Sequence, residues 1–266
     1  MRKLSIALAV VSTVACGGGS GTAPAPVVTA PAIGTSNTMI YVGQTVQFSA
    51  TGGGTIRWGG DNSAVATVDQ PTGRITGVGI GRVTIWAENE GGRTTRLLRG
   101  LPSFSGAWRG NYTIQDCQSN GAFAVIAFCS SNFRLGQSLS MTLNISQTED
   151  RITTGAVALG SATGTLTTST VGEDGQVRLA GSITPLSGNT IRISIENMRL
   201  ESPNAGTITG QYEQVWADSL LSGTARVYAR IETLTRESGG PTSGLIAPRQ
   251  GSFTLDDLLR MVKGER

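Results

Sequence analysis

The stretch Ser138-Leu-Ser-Met-Thr-Leu-Asn-Ile-Ser-Gln-Thr148, followed by Glu149-Asp150 and then Arg151-Ile-Thr-Thr-Gly-Ala-Val-Ala158, decides how the larger part of this chain folds. Leu139, Met141, Leu143 and Ile145 alternate with Ser140, Thr142 and Asn144, the period of a strand with one buried face. Only Glu149-Asp150 separates that run from the next, and so short a link joins antiparallel neighbours.

Working outward, the same pattern predicts eight strands, at 108–116, 138–148, 151–158, 162–168, 176–183, 190–199, 207–216 and 222–233. Ile191, Ile193 and Ile195 mark a second inward face. Ala225, Val227, Ala229 and Ile231 oppose Arg226, Tyr228 and Arg230 on the last strand. Most links are short turns, such as Glu173-Asp174-Gly175 and Pro203-Asn204-Ala205-Gly206. Eight strands in a meander favour a small closed antiparallel barrel over 101–237, with a two-sheet sandwich as the alternative. Gly106-Ala-Trp-Arg-Gly110 on the first strand resembles the Gly-x-Trp opening of lipocalin and avidin barrels.

A second β-rich region covers 33–100. Val46, Phe48 and Ala50 alternate with polar residues, as do Val83, Ile85 and Ala87. The runs Gly43-Gln-Thr-Val-Gln-Phe-Ser-Ala50, Trp58, Ser63-Ala-Val-Ala-Thr-Val-Asp69, Thr72-Gly-Arg-Ile-Thr-Gly-Val-Gly79 and Gly81-Arg-Val-Thr-Ile-Trp-Ala87 resemble the bacterial Ig-like domain, group 2. That resemblance implies a small β-sandwich used as a spacer or binding module on surface proteins, with Trp58 in its core. Trp86 lies between inward-facing Ile85 and Ala87, so alternation turns it outward. It is expected to pack against the next domain, with a protein contact as the alternative.

The chain opens with Arg2-Lys3 and an apolar run from Leu4 to Ala15, shorter than the roughly 20 residues a membrane span needs. This reads as an export signal over 1–15. Thr13-Val-Ala-Cys16 resembles the lipobox of bacterial lipoproteins, which implies cleavage before Cys16 and acylation of that residue, and an expected place at the cell envelope, at the outer membrane. Residues 16–32 then form a Gly- and Pro-rich tether. With Cys16 assigned to lipid, Cys117 and Cys129 remain, and two cysteines in an exported chain point to one disulfide.

Composition narrows the chemistry. Removing Arg2 and Lys3 takes the 21 Lys and Arg to 19, against 18 Asp and Glu, so the mature chain is nearly neutral and offers no nucleic-acid footprint. No histidine occurs, and Lys263 is the single lysine left after the signal. Ser-His-Asp and Cys-His catalysis, histidine-ligated zinc and a P-loop lysine are thereby excluded. No cofactor or metal is expected, and the chain is read as non-catalytic. The acidic pairs Glu149-Asp150 and Glu173-Asp174 sit in turns, so a carboxylate-based hydrolase ranks last.

One segment is irregular. Residues 116–137 hold Gly121-Ala-Phe-Ala-Val-Ile-Ala-Phe-Cys129, too apolar for an ordinary loop. It reads as a plug or extra strand closing one barrel end, or as a lid whose Phe123, Val125 and Phe128, with Tyr212 and Trp216, line an apolar pocket. Residues 238–266 comprise a Gly-, Pro- and Ser-rich tail and then a short amphipathic helix. Thr254 is its N-cap, and Leu255, Leu258, Leu259 and Val262 form its stripe. The partners to expect are a membrane, through Cys16, and an unknown protein, glycan or apolar small molecule.

Overall fold

The structure is a computed structural model, which describes residues 28–183, 191–237 and Arg260. The signal, Cys16, most of the tether and the expected C-terminal helix, apart from Arg260, lie outside the described residues.

The N-terminal body is built from nine strands. These are β1 (Ala32–Ile33), β2 (Met39–Tyr41), β3 (Thr45–Gln47), β4 (Ala50–Thr51), β5 (Arg57–Gly60), β6 (Ala66–Val68), β7 (Arg74–Gly77), β8 (Gly81–Asn89) and β9 (Gly92–Leu101). A four-stranded sheet in the order β2-β9-β8-β5 faces a three-stranded sheet in the order β3-β7-β6, and β1 pairs with β4. Val83, Ile85 and Ala87 point inward from β8 at 0–1% exposure, so the alternation in the sequence is the alternation of the sheet. Trp58 is buried edge-on to Phe48, with ring centroids 6.4 Å apart. Gly73, in a left-handed turn (φ +72°), lies under the Trp58 ring where any side chain would collide with it.

The C-terminal body contains β10 (Gly106–Ser119), α1 (Gly121–Val125), α2 (Phe128–Asn132), β11 (Ser138–Thr148), β12 (Arg151–Leu159), β13 (Ala162–Leu166), β14 (Ser169–Thr170), β15 (Val177–Ile183), β16 (Ile191–Asn204), β17 (Thr207–Asp218) and β18 (Thr224–Arg236). Eight of these strands pair antiparallel in the cycle β10-β11-β12-β13-β15-β16-β17-β18 and back to β10. The barrel is closed; the sandwich alternative is not adopted. Leu139, Met141, Leu143, Ile145, Ile191, Ile193 and Ile195 all face its interior. Large and small residues are matched across strands. Tyr212 and Trp216 of β17 stand opposite Ala229 and Ala225 of β18, which leave room for the rings.

Closing eight strands requires strong coiling, and the ladder supplies it through register shifts next to glycines. Gly181 adjoins a shift between β15 and β16, and Gly210 adjoins one between β17 and β18. At both positions a neighbouring strand comes so close that an added Cβ would collide with a carbonyl oxygen, that of Thr165 and that of Arg199 respectively.

The two bodies meet at one barrel end. β9 leads into β10 across Pro102 to Ser105, and Met39 and Tyr41 pack against the barrel core. The Arg99 guanidinium pairs with Asp150 at 3.3 Å and donates to the carbonyls of Val171 (3.0 Å) and Gly172 (2.8 Å). The Tyr41 hydroxyl donates to the Glu149 carbonyl at 3.0 Å, and Arg82 pairs with Glu173. Both acidic turn pairs thus receive the Ig-like body.

A methyl group at position 210 cannot be absorbed by a flexible neighbour. Gly210→Ala is expected to lower stability by about 1–3 kcal/mol. Gly206→Ala, whose nearest neighbour outside the adjoining residues would be Asn204 Oδ1 at 3.7 Å, changes it by less than about 0.5 kcal/mol. Urea unfolding of the two variants checks the contrast.

Candidate functional site

The barrel end opposite the Ig-like body is closed by residues 120–137. Cys117, near the end of β10, is disulfide-bonded to Cys129 in α2, with the two Cα atoms 5.5 Å apart. Five-residue helices have no stability of their own, so packing and the crosslink hold α1 and α2 in place. Ala127 joins them in a left-handed conformation (φ 52°), a costly one for a residue with a Cβ. The turn lets both helices send a phenylalanine into the barrel: Phe123 and Phe128 are at most 1% exposed. Asn120 fastens the segment to the β17–β18 hairpin by accepting from Thr224 N at 2.9 Å, and Ala122 N donates to Ser222 O at 2.9 Å.

Phe128 is the centre of an aromatic cluster. Its ring lies 5.2 Å from Phe123, 5.8 Å from Phe133 and 5.4 Å from Trp216, all centroid to centroid. Deeper in the barrel, Trp216 Nε1 donates to Gln214 Oε1 at 3.2 Å, and Gln214 Nε2 donates to the Tyr212 hydroxyl at 3.0 Å. Tyr112 stands edge-to-face against Tyr212 at 5.5 Å. Its hydroxyl is fully buried near Gln214 and Tyr212, yet outside hydrogen-bond geometry with any partner among the described residues. Burial pushes the Tyr112 phenol up to about 12 and drives that of Tyr212 well above its ordinary value.

Of the five residues expected to line a pocket, Phe123, Phe128, Tyr212 and Trp216 therefore come together on the barrel axis. Val125 does not: it is 86% exposed on the outer side of α1. A helix explains the difference, because residue 125 is two positions from Phe123 and so lies across the helix from it, where strand alternation would have put both on one face. The segment is a helical plug and contributes no strand.

Val125 is one of several large aliphatic residues turned to solvent here. Ile126 (48%) and Leu135 (65%) accompany it on the plug, and Leu220 (80%) and Leu221 (42%) come from the adjoining β17–β18 hairpin. Residues 119–137 and 218–223 carry only two charged side chains, Arg134 and Asp218, among serines, asparagines and small residues. This apolar, nearly uncharged tip was not visible in the sequence, where apolar residues in an irregular segment look like lining.

Trp86 is half-buried on the outer face of its own sheet. Its indole lies over Gly59, and the Arg93 guanidinium sits 4.2 Å from the ring centroid on a side chain that also pairs with Glu88. The expected packing against the barrel is replaced by this local stack. An outer groove of about 440 Å³ runs along β10, β11 and β12, lined by Ser105, Gly106, Asn144, Thr154 and Ala156 among others. Among the described residues no group of His, Cys, Asp and Glu is placed to hold a metal ion, and no helix is long and apolar enough to cross a membrane.

Two outcomes follow from the plug and the buried phenols. Replacing both Cys117 and Cys129 by serine lowers stability by about 3 kcal/mol, as expected for a loop of this size, and shifts Trp216 fluorescence to longer wavelength as the plug loosens. The folded phenols ionise above the unfolded value of about 10, so stability is fully present below that pH and is lost as pH rises toward about 12. Denaturant midpoints at pH 9 and 11.5, with absorbance at 295 nm, check the second.

Residues 41–89 match the family model described as the intimin immunoglobulin-like domain. No curated protein matches the chain. The matched span runs from the end of β2 to the end of β8, so the N-terminal body is similar to that Ig-like domain over this span, and β9 completes its four-stranded sheet.

Proposed function

We propose that this protein is a lipid-anchored module of the bacterial cell envelope, at the outer membrane, that binds another protein through the barrel tip and catalyses no reaction. The observation that carries the reading is the set of five exposed aliphatic side chains at the barrel end remote from the Ig-like body. Exposed apolar groups clustered at one end of a folded unit mark a contact surface. The layout supports it. Asn89 and Gly91, at the end of the Ig-like body away from β10, contact Thr29 and Val28, where the tether enters. The docked turns place the barrel tip at the end of the two bodies remote from Val28 and Thr29. An Ig-like domain of the intimin type fits such an extracellular, adhesion-type role.

The test uses cells displaying the full chain. Val125→Asp with Leu220→Asp should reduce adherence to a partner surface or neighbouring cells at least tenfold while leaving the unfolding midpoint unchanged. Undiminished adherence would remove the tip from the reading. Cys16→Ser should abolish incorporation of labelled palmitate and release the protein to the medium; equal labelling would overturn the anchor.

One observation favours a second reading, a carrier of an apolar small molecule. The Tyr112 hydroxyl is buried beside Gln214 and Tyr212 with no well-formed hydrogen bond, a polar atom that a group on a ligand beneath the plug would engage. Native mass spectrometry of protein purified from its envelope, showing a retained small molecule, would establish it.

A further inference from the structure

We infer that the partner of the barrel tip is a second copy of this chain, the two tips meeting face to face across a two-fold axis. This names the partner for the contact face proposed above and rests on that reading. The face is continuous. Val125 and Ile126 close α1, and Leu220 and Leu221 head the β17–β18 hairpin. Ala122 N donates to Ser222 O and Asn120 N to Thr224 O, both at 2.9 Å, so the two elements form one surface. Ala124, Ser219 and Ser222 are exposed beside the four aliphatic side chains.

Size and charge favour a second copy. At 86%, 48%, 80% and 42% exposure, Val125, Ile126, Leu220 and Leu221 offer on the order of 500 Å² of surface per copy. Two such faces hide about 1,000 Å², the area a specific interface has to clear. A two-fold contact sets a patch against itself, so a patch of one charge sign repels its own copy. Residues 119–137 and 218–223 carry one cation, Arg134, and one anion, Asp218, and so have no net charge to oppose the contact. A lipid surface fits less well. Tips that seat in lipid headgroups carry lysines, tryptophans or tyrosines there, and these two segments contain none. The geometry also suits two chains reaching from facing surfaces, because tip-to-tip pairing sends the two N-terminal ends in opposite directions. An interface of this size is weak singly and gains strength when many copies engage together.

The experiment uses beads of two colours coated with residues 16–266, coupled through the Cys16 thiol, since Cys117 and Cys129 are joined to each other. Coated beads should cluster with coated beads and not with bare ones. An acidic tip, Val125→Asp/Leu220→Asp, and a basic tip, Val125→Lys/Leu220→Lys, should each reduce clustering with themselves at least tenfold with unchanged unfolding midpoints. Mixing acidic-tip with basic-tip beads should restore most of it, a rescue that only tip-to-tip contact produces. Clustering that the acidic and basic tips leave undiminished would overturn the inference. So would coated beads that do not cluster, or that bind phosphatidylethanolamine–phosphatidylglycerol vesicles instead. Coated beads that fail to cluster yet adhere to cells through an intact tip would sink the second copy and keep the tip as a contact face for a different protein. Adherence that ignores the tip would sink both.

Discussion

Everything in the larger body depends on the pairing of its first strand with its last. β10 and β18 lie side by side from Trp108 opposite Arg236 to Ser119 opposite Ala225, joining segments more than a hundred residues apart. Before that ladder forms, the meander is a sheet with two open edges; afterwards it has none. Closure fixes which side chains share the interior and fixes two barrel ends. One end is free to receive the Ig-like body, and the other must be stopped. The interior itself holds Trp108, Tyr112, Tyr212 and Trp216 in one continuous apolar cluster with the aliphatic residues of all eight strands.

Much of this architecture was legible in the sequence because period-two alternation is a local property. Leu139 to Ile145 and Ala225 to Ile231 announce their buried faces without reference to any partner. What escaped depends on partners remote in sequence. β14 has two residues and exists through its pairing with Arg151 and Ile152, so no pattern could show it. The register shifts beside Gly181 and Gly210 come from ring closure, and a glycine in a strand reads the same whether or not a carbonyl occupies the space of its missing Cβ.

The site divides along the same line. Phe123, Phe128, Tyr212 and Trp216 were recognisable as a group because they are aromatic and apolar, and the Cys117–Cys129 link was recognisable from the cysteine count. Val125 was misplaced because a five-residue helix carries too few positions to declare its period. Glu149-Asp150 and Glu173-Asp174 were rightly placed in turns, but their second role, receiving Arg99, Tyr41 and Arg82, belongs to another domain's surface.

The short junction between β9 and β10 has a mechanical consequence. A load applied between the N-terminal end of the Ig-like body and the barrel tip would enter the barrel along the axis of β10. That strand is bonded lengthwise to β11 on one side and to β18 on the other. A pull along it loads many ladder bonds together, in shear, where a pull across an edge would open them one at a time. The geometry suits a tie that must hold while its two ends are dragged apart.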